Sequence, residues 1–329
     1  MKMRVLITGL TGFVGSHLAD LIIDNYPETR IFGLKRWRSP LENIEHIKEK
    51  LTLYDSDLRD LSSLITLLRE IDPEVIFHLA AQSYVPVSYI APIDTLMTNV
   101  IGTANLLEAV RLANIDPLLH ICSSSEVYGQ VKPDEVPIKE TNPLRPASPY
   151  AVSKVGEDML GLQYFIAYGL KTVRTRMFTH TGPRRGDVFV CSNFARQIAS
   201  IEAGLQEPTV HVGNLDSIRT FTDVRDAVKA YWLLTRKYFE GKVKAGEVYN
   251  IGGTTTMKVG EMLDKLLDIS EVKGKVTISV DKARLRPADV TLQIPSTDKF
   301  KADTGWEPVI PFEQTLQDLL DYWRDKLDQ

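Results

Sequence analysis

A tyrosine followed four residues later by a lysine can make a phenol act as a base, and four tyrosines fit this pattern: Tyr128, Tyr150, Tyr238 and Tyr322. On a helix this spacing puts both side chains on one face, where the ammonium lowers the pKa of the phenol. Tyr128 precedes a glycine and a loop, so it and its lysine would not share a helix face. Tyr238 lies at the end of a predicted helix and Tyr322 on the C-terminal amphipathic helix, where tyrosines usually pack or lie on the surface. Tyr150 begins the predicted helix that comes next after a predicted buried strand, so Tyr150 and Lys154 are the predicted reactive pair.

The stretch 121–129, ICSSSEVYG, ends that apolar strand in three serines and a carboxylate. The hydroxyl of Ser124 could share a proton with a substrate oxygen that Tyr150 deprotonates, and Glu126 could act as a second acid or base on a neighbouring carbon. A serine-rich turn with Glu126 in solvent is the alternative, and on this stretch alone it would be preferred. Ligands bind at the carboxyl edge of a parallel sheet, where this strand end and Tyr150 would meet, so we favour a reactive site.

The elements that would position these residues alternate between strand and helix. Apolar strands such as MRVLITG and LLHICSSS are separated by helical patterns such as FVGSHLADLIIDN up to about residue 180. This alternation predicts an α/β fold of Rossmann type with a doubly wound parallel sheet. The strand EVYNIGG is predicted to return to that sheet. We predict a nucleotide-binding domain of residues 1–180 plus about 222–252, and a smaller, interleaved substrate lobe of about 181–221 plus 253–329.

Three glycines, Gly9, Gly12 and Gly15, follow the first predicted strand in TGLTGFVG. Glycines between a strand and a helix allow a tight turn and let a pyrophosphate approach the helix N-terminus. The first spacing is two residues instead of the one in the common fingerprint, and a tight turn without a ligand is the alternative. The position in the first βαβ unit favours a dinucleotide site.

The end of the second predicted strand indicates which dinucleotide binds. An acidic residue there would accept from the ribose of NAD, but the sequence has LKRWR, with Lys35, Arg36 and Arg38. These basic side chains suit a 2′-phosphate, although a charge run is usually a solvated strand end. We therefore predict NADP in preference to NAD. Asp57, after the third strand, is predicted either to accept from the adenine amino group or to cap the next helix.

Composition excludes several classes of protein. The chain of 329 residues is 43% hydrophobic and 25% charged with a formal net charge of -4, which is ordinary for a globular protein and unlike a nucleic-acid binder. It has no apolar run long enough to predict a membrane span. Two cysteines, Cys122 and Cys191, indicate a reducing cytoplasm. The six histidines are scattered, so no metal site is predicted.

Motifs along the whole chain resemble those of a known family. TGLTGFVG, HLAAQS, SSSEVYG and SPYAVSK, in this order and spacing, resemble extended short-chain dehydrogenases/reductases. LKRWRSPLENIEHI, THTGPRRGDVFV, VGNLDSIRTFTDVRDAV and RLRPADV are narrower, and resemble GDP-mannose 4,6-dehydratases and the related GDP-heptose dehydratases and GDP-4-keto-6-deoxymannose reductases. The resemblance implies a homodimer or homotetramer that binds a GDP-sugar.

The resemblance also implies catalytic roles for Ser124, Glu126, Tyr150 and Lys154. Tyr150 would take the O4 proton as hydride passes from C4 to NADP⁺, with Ser124 bonded to O4. Glu126 would then remove the C5 proton, water would leave from C6, and hydride would return to C6. Ser125 replaces an Asp of the dTDP-glucose dehydratases, which leaves the proton donor to the C6 hydroxyl open.

Two other functions compete with this 4,6-dehydratase. An NADPH-dependent 4-keto-sugar reductase or an epimerase could use the same scaffold. A non-catalytic protein that has kept the fold is disfavoured, because all four catalytic residues are present.

Binding residues follow from the matched motifs. The expected cofactor residues are Gly9, Thr11, Gly12, Phe13, Val14, Gly15, Arg36, Asp57, Leu58, Leu79, Ala80, Ala81, Gln82, Tyr150, Lys154, His180 and Arg185. The expected substrate residues are Ser83, Ser124, Thr179, Val190, Asn214, Arg219 and Arg286. Arginines suit a pyrophosphate in an otherwise acidic chain. The family usually has Asn before His180 where this chain has Thr179, so GDP-manno-heptose competes with GDP-mannose as the substrate.

Overall fold

A computed structural model of the chain describes residues 3–285 and 287–328. Its strands are β1 (Arg4–Thr8), β2 (Arg30–Lys35), β3 (Leu51–Asp55), β4 (Val75–His78), β5 (Leu118–Ser124), β6 (Thr172–Met177), β7 (His180–Thr181), β8 (Thr209–Val212), β9 (Ile218–Asp223), β10 (Val248–Ile251), β11 (Thr255–Lys258), β12 (Thr277–Val280) and β13 (Leu292–Gln293). Its α-helices are α1 (Phe13–Asn25), α2 (Leu61–Ile71), α3 (Val85–Ile90), α4 (Pro92–Leu96), α5 (Gly102–Ala113), α6 (Pro149–Tyr168), α7 (Val190–Glu202), α8 (Val224–Phe239), α9 (Val259–Asp268), α10 (Asp298–Thr304) and α11 (Phe312–Leu327).

The main sheet has the order β10-β6-β5-β4-β1-β2-β3, and each neighbouring pair is parallel. The strand order reverses direction between β1 and β4, which opens a crevice at their carboxyl ends. The predicted doubly wound Rossmann-type sheet is confirmed. The strand EVYNIGG does return to it, as β10 beside β6.

Strand β1 explains how the sheet is held between two helical layers. Alternate side chains of a strand point to opposite faces. Val5 and Ile7 join a core with residues of α1 and α8, while Leu6 joins a second core with residues of α2 and α5. Both faces are buried, which is why the strand reads as one continuous apolar run.

The stretch predicted as one long helix over DTLMTNVIGTANLLEAVRLA is interrupted. It contains α4, a π-helical turn at Met97–Ile101, and α5. The wider turn includes Asn99, whose buried side chain accepts from the Gln82 backbone N–H at 2.7 Å and donates to Ser153 at 2.8 Å. The turn thereby connects the end of β4 to α6, both of which border the site.

The second lobe has its own core between α7, α9 and α11, with Phe194, Met262 and Leu320 fully enclosed. Strand β9 pairs with β7 and β13 in parallel and with β11 antiparallel. Helix α10 instead packs on the nucleotide half, where Phe300 and Trp306 join the core of β1 and α1. The predicted division into two domains stays a prediction. In the described part of the chain, no helix is long and apolar enough to cross a bilayer.

A buried ion cluster joins α6 to β6 and so fixes the helix that carries Tyr150. Asp158 accepts from Arg174 at 2.7 Å and from Arg176 at 2.8 Å, and all three side chains are almost fully buried. Buried charges are stable only when they are paired, so the carboxylate fixes the position of α6 along the sheet.

We expect Asp158→Asn to lower the free energy of unfolding by about 3–5 kcal/mol, because it leaves two buried guanidinium groups without a counter-charge. Urea denaturation measures this. Asp116→Asn is the matched control, since it removes an exposed ion pair with Lys171 and should cost less than about 1 kcal/mol. Equal unfolding midpoints for Asp158→Asn and wild type would contradict the role of the cluster.

Candidate functional site

A cleft of about 1210 Å³ runs along the carboxyl edge of the main sheet and continues into the second lobe. Such a volume exceeds that of a pocket for one drug-sized ligand. Every predicted site residue that the structure describes lines this cleft. Arg286 lies outside the described residues.

The turn between β1 and α1 has the shape that a pyrophosphate needs. Gly9 has a φ of 73°, and a Cβ there would lie 2.9 Å from the backbone of Ala80. A Cβ on Gly15 would lie 2.3 Å from the Gly9 carbonyl oxygen. Gly12 caps α1 without a side-chain hydrogen bond, so the first N–H groups of this helix are left for a ligand. The residues present therefore fit a dinucleotide.

The basic end of β2 lies at one end of the cleft. Arg36 is exposed at the edge of the cleft, and its backbone N–H donates to Ser39 at 3.2 Å. Lys35 also lines the cleft but is paired with Asp55. Arg38 stacks on Trp37 at 4.9 Å and is not part of the lining. Of the three basic residues, Arg36 is therefore the one available to a phosphate.

Asp57 does not cap the helix that follows it. That cap is Asp60, which accepts from the N–H groups of Ser62 and Ser63. Asp57 accepts from the backbone and the guanidinium of Arg59, which lowers its pKa. The capping alternative is therefore wrong, and contact with adenine stays a prediction. Arg59 lines the same end of the cleft and was missed in the sequence, where it reads as a surface charge.

The predicted Tyr150/Lys154 pair lies in the first turns of α6, with both side chains buried. Pro149 stands at the start of the helix, and Ser148 caps it by accepting from the Ala151 N–H at 3.0 Å. The Lys154 ammonium donates to the Cys122 carbonyl at 2.6 Å and to Glu157. The lysine is thus held under the end of β5.

The surroundings of Tyr150 set the pKa of its phenol. Burial raises the pKa of the phenol above its usual value, although the Lys154 charge and a hydrogen bond from Ser124 act in the opposite direction. Lys154 alone therefore does not bring this pKa toward neutrality. A phenolate at neutral pH requires a further positive charge in the cleft.

Ser124 and Glu126 stand beside Tyr150. The Ser124 hydroxyl accepts a hydrogen bond from the Glu126 N–H at 3.2 Å and is also hydrogen-bonded to the Tyr150 phenol. Glu126 lines the cleft, and its charge acts on the Tyr150 phenol. Glu126 thus lies in the cleft, and its catalytic role stays a prediction. Ser125, the residue between them, donates to Gln293 at 2.8 Å.

Two predicted residues meet between the nucleotide half and the second lobe. The Arg185 guanidinium lies 4.9 Å from the ring centre of Phe13 and 3.6 Å from that of Phe189. No carboxylate in the described part of the chain pairs with it, and burial lowers its pKa to about 10. His180 stacks on Phe13 at 5.7 Å, and burial lowers its pKa to about 3, so its ring is neutral. An unpaired cation in a cleft suits an anionic ligand.

Asn214 and Arg219 lie around a carboxylate whose role was missed. Asp289 accepts from Asn214 at 2.7 Å and from Ser217 at 2.9 Å, and lies 3.6 Å from Arg219. Asp289 belongs to the motif RLRPADV, which was the available signal. Thr179, Ser83 and Val190 line the cleft as predicted.

No group of three or more His, Cys, Asp or Glu residues could hold a metal ion in residues 3–285 and 287–328.

The sequence profile of GDP-mannose 4,6 dehydratases matches residues 6–319. The chain belongs to the GDP-mannose 4,6-dehydratase family. The resemblance in the motifs is thereby confirmed.

Relatives within and around the GDP-mannose 4,6-dehydratase family differ in reaction. A GDP-6-deoxy-D-mannose reductase of Pseudomonas aeruginosa is 34% identical over 327 residues, covering 99% of each chain. A GDP-mannose 4,6-dehydratase of Yersinia enterocolitica is 31% identical, covering 96% of this chain and 92% of its own. Both reactions are therefore represented at similar identity.

Solved structures agree with the fold. The structure of RMD from Pseudomonas aeruginosa complexed with NADPH has a TM-score of 0.84 at 34% identity, covering 99% of this chain and 100% of its own. A UDP-glucose 4-epimerase of Thermotoga maritima with UDP-glucose has a TM-score of 0.85 at 28% identity, with coverage of 99% and 100%. Members of the GDP-mannose 4,6-dehydratase family thus share this architecture with nucleotide-sugar epimerases.

Glu157 beside Lys154 gives a prediction about pH. Burial raises the pKa of Glu157 from its ordinary 4.5 to about 7. Between pH 4.5 and pH ~7 the folded protein holds a proton on Glu157 that the unfolded chain releases. This proton therefore contributes its whole stabilisation below the pKa of the unfolded chain, and the stabilisation is lost as pH rises through the pKa of the folded protein. The stability of wild type relative to Glu157→Gln should therefore fall by about 1–3 kcal/mol from pH ~5 to pH ~8.

Urea denaturation of both proteins at several pH values tests this. Glu207→Gln, at an exposed position, is the matched control for a glutamate-to-glutamine change. A difference between wild type and Glu157→Gln that stays constant with pH would refute the assignment.

Proposed function

We propose that the protein is a GDP-sugar 4,6-dehydratase, a lyase that uses NADP and converts GDP-mannose or GDP-manno-heptose to the 4-keto-6-deoxy product. The observation that carries this is the presence of a phenol, a hydroxyl and a carboxylate together in one cleft with a glycine turn. Tyr150, Ser124 and Glu126 interact with one another there. Membership of the GDP-mannose 4,6-dehydratase family supports it.

Each side chain has a role that its surroundings support. A bound nicotinamide dinucleotide would supply the acceptor and donor of hydride, and its positive ring would supply the further charge that Tyr150 needs. Tyr150 would remove the O4 proton of the sugar while the Ser124 hydroxyl is bonded to the same oxygen. The Lys154 ammonium, held by Cys122 and Glu157, would keep its charge next to the phenol.

Glu126 would remove the C5 proton once C4 is a ketone, because a neighbouring carbonyl makes that proton acidic. Its place in the cleft beside Tyr150 supports a role on the adjacent carbon. Elimination needs such a second base, whereas transfer of hydride to a 4-ketone does not.

A 4-keto-sugar reductase is the second candidate. The similarity to the Pseudomonas aeruginosa reductase along 99% of both chains favours it specifically. The reductase would consume NADPH stoichiometrically, whereas the dehydratase would show no net cofactor turnover.

The assembly is proposed to be a homodimer or homotetramer. Large apolar side chains are exposed on neighbouring helices, with Ile90, Ile93 and Met97 near α4 and Val152 and Ile166 on α6. Helices α4 and α6 pack against each other. A second copy of the chain would cover these side chains.

Incubation with GDP-mannose in deuterated water without added reductant, followed by mass spectrometry and NMR, tests the reaction. We expect loss of one water and deuterium at C5. Tyr150→Phe should abolish product and any oxidation at C4, while Glu126→Gln should still oxidise C4 and produce the absorbance of reduced nicotinamide without losing water.

Three results would contradict this proposal. Dehydration by Glu126→Gln at near wild-type rate would remove its role as the base. An unchanged sugar with both GDP-mannose and GDP-manno-heptose would exclude the dehydratase. Stoichiometric NADPH oxidation with a GDP-4-keto-6-deoxy sugar would then establish the reductase.

Arg36→Ala tests the choice of NADP. Loss of a charged hydrogen bond to the 2′-phosphate should raise the Kd for NADP about 10-fold or more and leave that for NAD unchanged. Isothermal calorimetry measures both. Arg38→Ala is the matched control, because Arg38 stacks on Trp37 away from the cleft lining. The assignment would be refuted if both variants raised the Kd for NADP equally. It would also be refuted if Arg36→Ala raised the Kd for NAD as much as the Kd for NADP.

A further inference from the structure

Gln293 presents a buried amide to the cleft, and the N–H groups of this amide are unused. Its side chain is only 2% exposed and lines the cleft. One end of the amide, Oε1, accepts from the Ser125 hydroxyl at 2.8 Å. The other end, Nε2, has no hydrogen-bond partner among residues 3–285 and 287–328. A buried donor without an acceptor costs about 1–3 kcal/mol, so native proteins rarely keep one unless a ligand satisfies it.

The strand pairing locates this amide along the cleft. Gln293 is opposite Arg219 in the parallel pairing of β13 with β9, and in-register neighbours on parallel strands project to the same face. Arg219 is a proposed pyrophosphate ligand, while Ser125 adjoins the catalytic Ser124 and Glu126. The Gln293 amide therefore lies between the position proposed for the pyrophosphate and the reacting carbons, which is where the hexose must be.

The side of the sugar follows from the hydrogen bond to Ser125. Ser125 stands between Ser124, which is assigned to O4, and Glu126, the proposed base at C5. A donor held by Ser125 therefore lies near C4 and C5 of the sugar. The two exocyclic oxygens next to C5 are O4 and the oxygen of the C6 hydroxyl. O4 is assigned to Tyr150 and Ser124, which are hydrogen-bonded to each other, so the C6 hydroxyl is left for this donor.

We propose that the Gln293 side-chain N–H donates to the C6 hydroxyl oxygen of the bound GDP-sugar and so selects sugars that carry that oxygen. This inference rests on the proposed function and names a substrate contact within it. Ser125 acts as a positioning residue, because its hydroxyl occupies Oε1 and turns Nε2 toward the ligand.

Binding of three ligands tests the contact: GDP, GDP-mannose and GDP-6-deoxymannose, which lacks the C6 oxygen. Calorimetry is done with the NADP-saturated protein in a Tyr150→Phe background, which prevents turnover. Adding Gln293→Met, which keeps side-chain length and removes the donor, should weaken GDP-mannose binding about five- to tenfold. Binding of GDP and of GDP-6-deoxymannose should stay within about twofold.

Two further variants separate the donor from the side chain's size and from a general effect of mutation. Gln293→Glu can still accept from Ser125 but has no N–H, so it should weaken GDP-mannose binding at least as much as Gln293→Met does. Gln130→Met is the matched control, because Gln130 is exposed, bonds to Thr291 and does not line the cleft. It should change none of the three affinities.

Several outcomes would overturn the contact. Equal weakening of GDP-mannose and GDP-6-deoxymannose would put the amide on another hydroxyl, and equal weakening of GDP would put it on the nucleotide. Wild-type affinity of Gln293→Glu for GDP-mannose would show that no N–H is donated. Failure of the proposed function is distinguishable, because the wild-type protein would then release no water from GDP-mannose or GDP-manno-heptose whatever Gln293 variants bind.

Discussion

The buried ammonium of Lys154 is the constraint on which the site depends. Removing a charge from water is unfavourable by several kcal/mol unless partners replace the lost hydration. The partners here are the Cys122 carbonyl at the end of β5 and the Glu157 side chain one turn along α6. The strand end and the helix must therefore stay in fixed relation. The Asp158 cluster, one residue further along α6, attaches the same helix to β6.

This constraint explains why the reactive groups converge. Because α6 is fixed relative to β5, Tyr150 on the helix is held next to the end of the strand. Ser124 is the last residue of that strand and Glu126 lies two residues beyond it, so all three side chains come together. The Asn99 side chain adds a third connection, from the π-helical turn to Ser153 on the same helix. Tyr150 and Lys154 thus sit on a helix that is attached to both β5 and β6, which is the kind of support that precise chemistry requires.

The sequence predicted the parts of the fold whose patterns are local. The continuous apolar run of β1 and the helical period of α1 are readable from a few residues, and so is the glycine turn between them. The π-helical turn was not readable, because its cause is the contact of Asn99 with Gln82 and Ser153. The sequence of helix α10 does not indicate whether the helix packs against the main sheet or against the second lobe.

The site divides in the same way. Tyr150 and Lys154 were found because their spacing is local, and the order of motifs supported them. Glu157 was missed although it is on the same helix, since its importance comes from burial. Gln293 bonds to a residue 168 positions away, so nothing near it in the chain marks it. Arg59 reads as an ordinary surface charge until folding brings it to the cleft.

The ring of Phe13 links the two ends of the cleft. It belongs to the glycine turn at the start of α1, and it contacts both His180 and the Arg185 guanidinium, which Phe189 covers from the second lobe. A dinucleotide that ordered the Phe13 ring would also order Arg185, so the entropy of ordering the arginine would be lost before a second anion arrives. By thermodynamic reciprocity, each ligand would then change the affinity of the other by the same factor. The aromatic stack would in this way couple two binding events without any movement of the sheet.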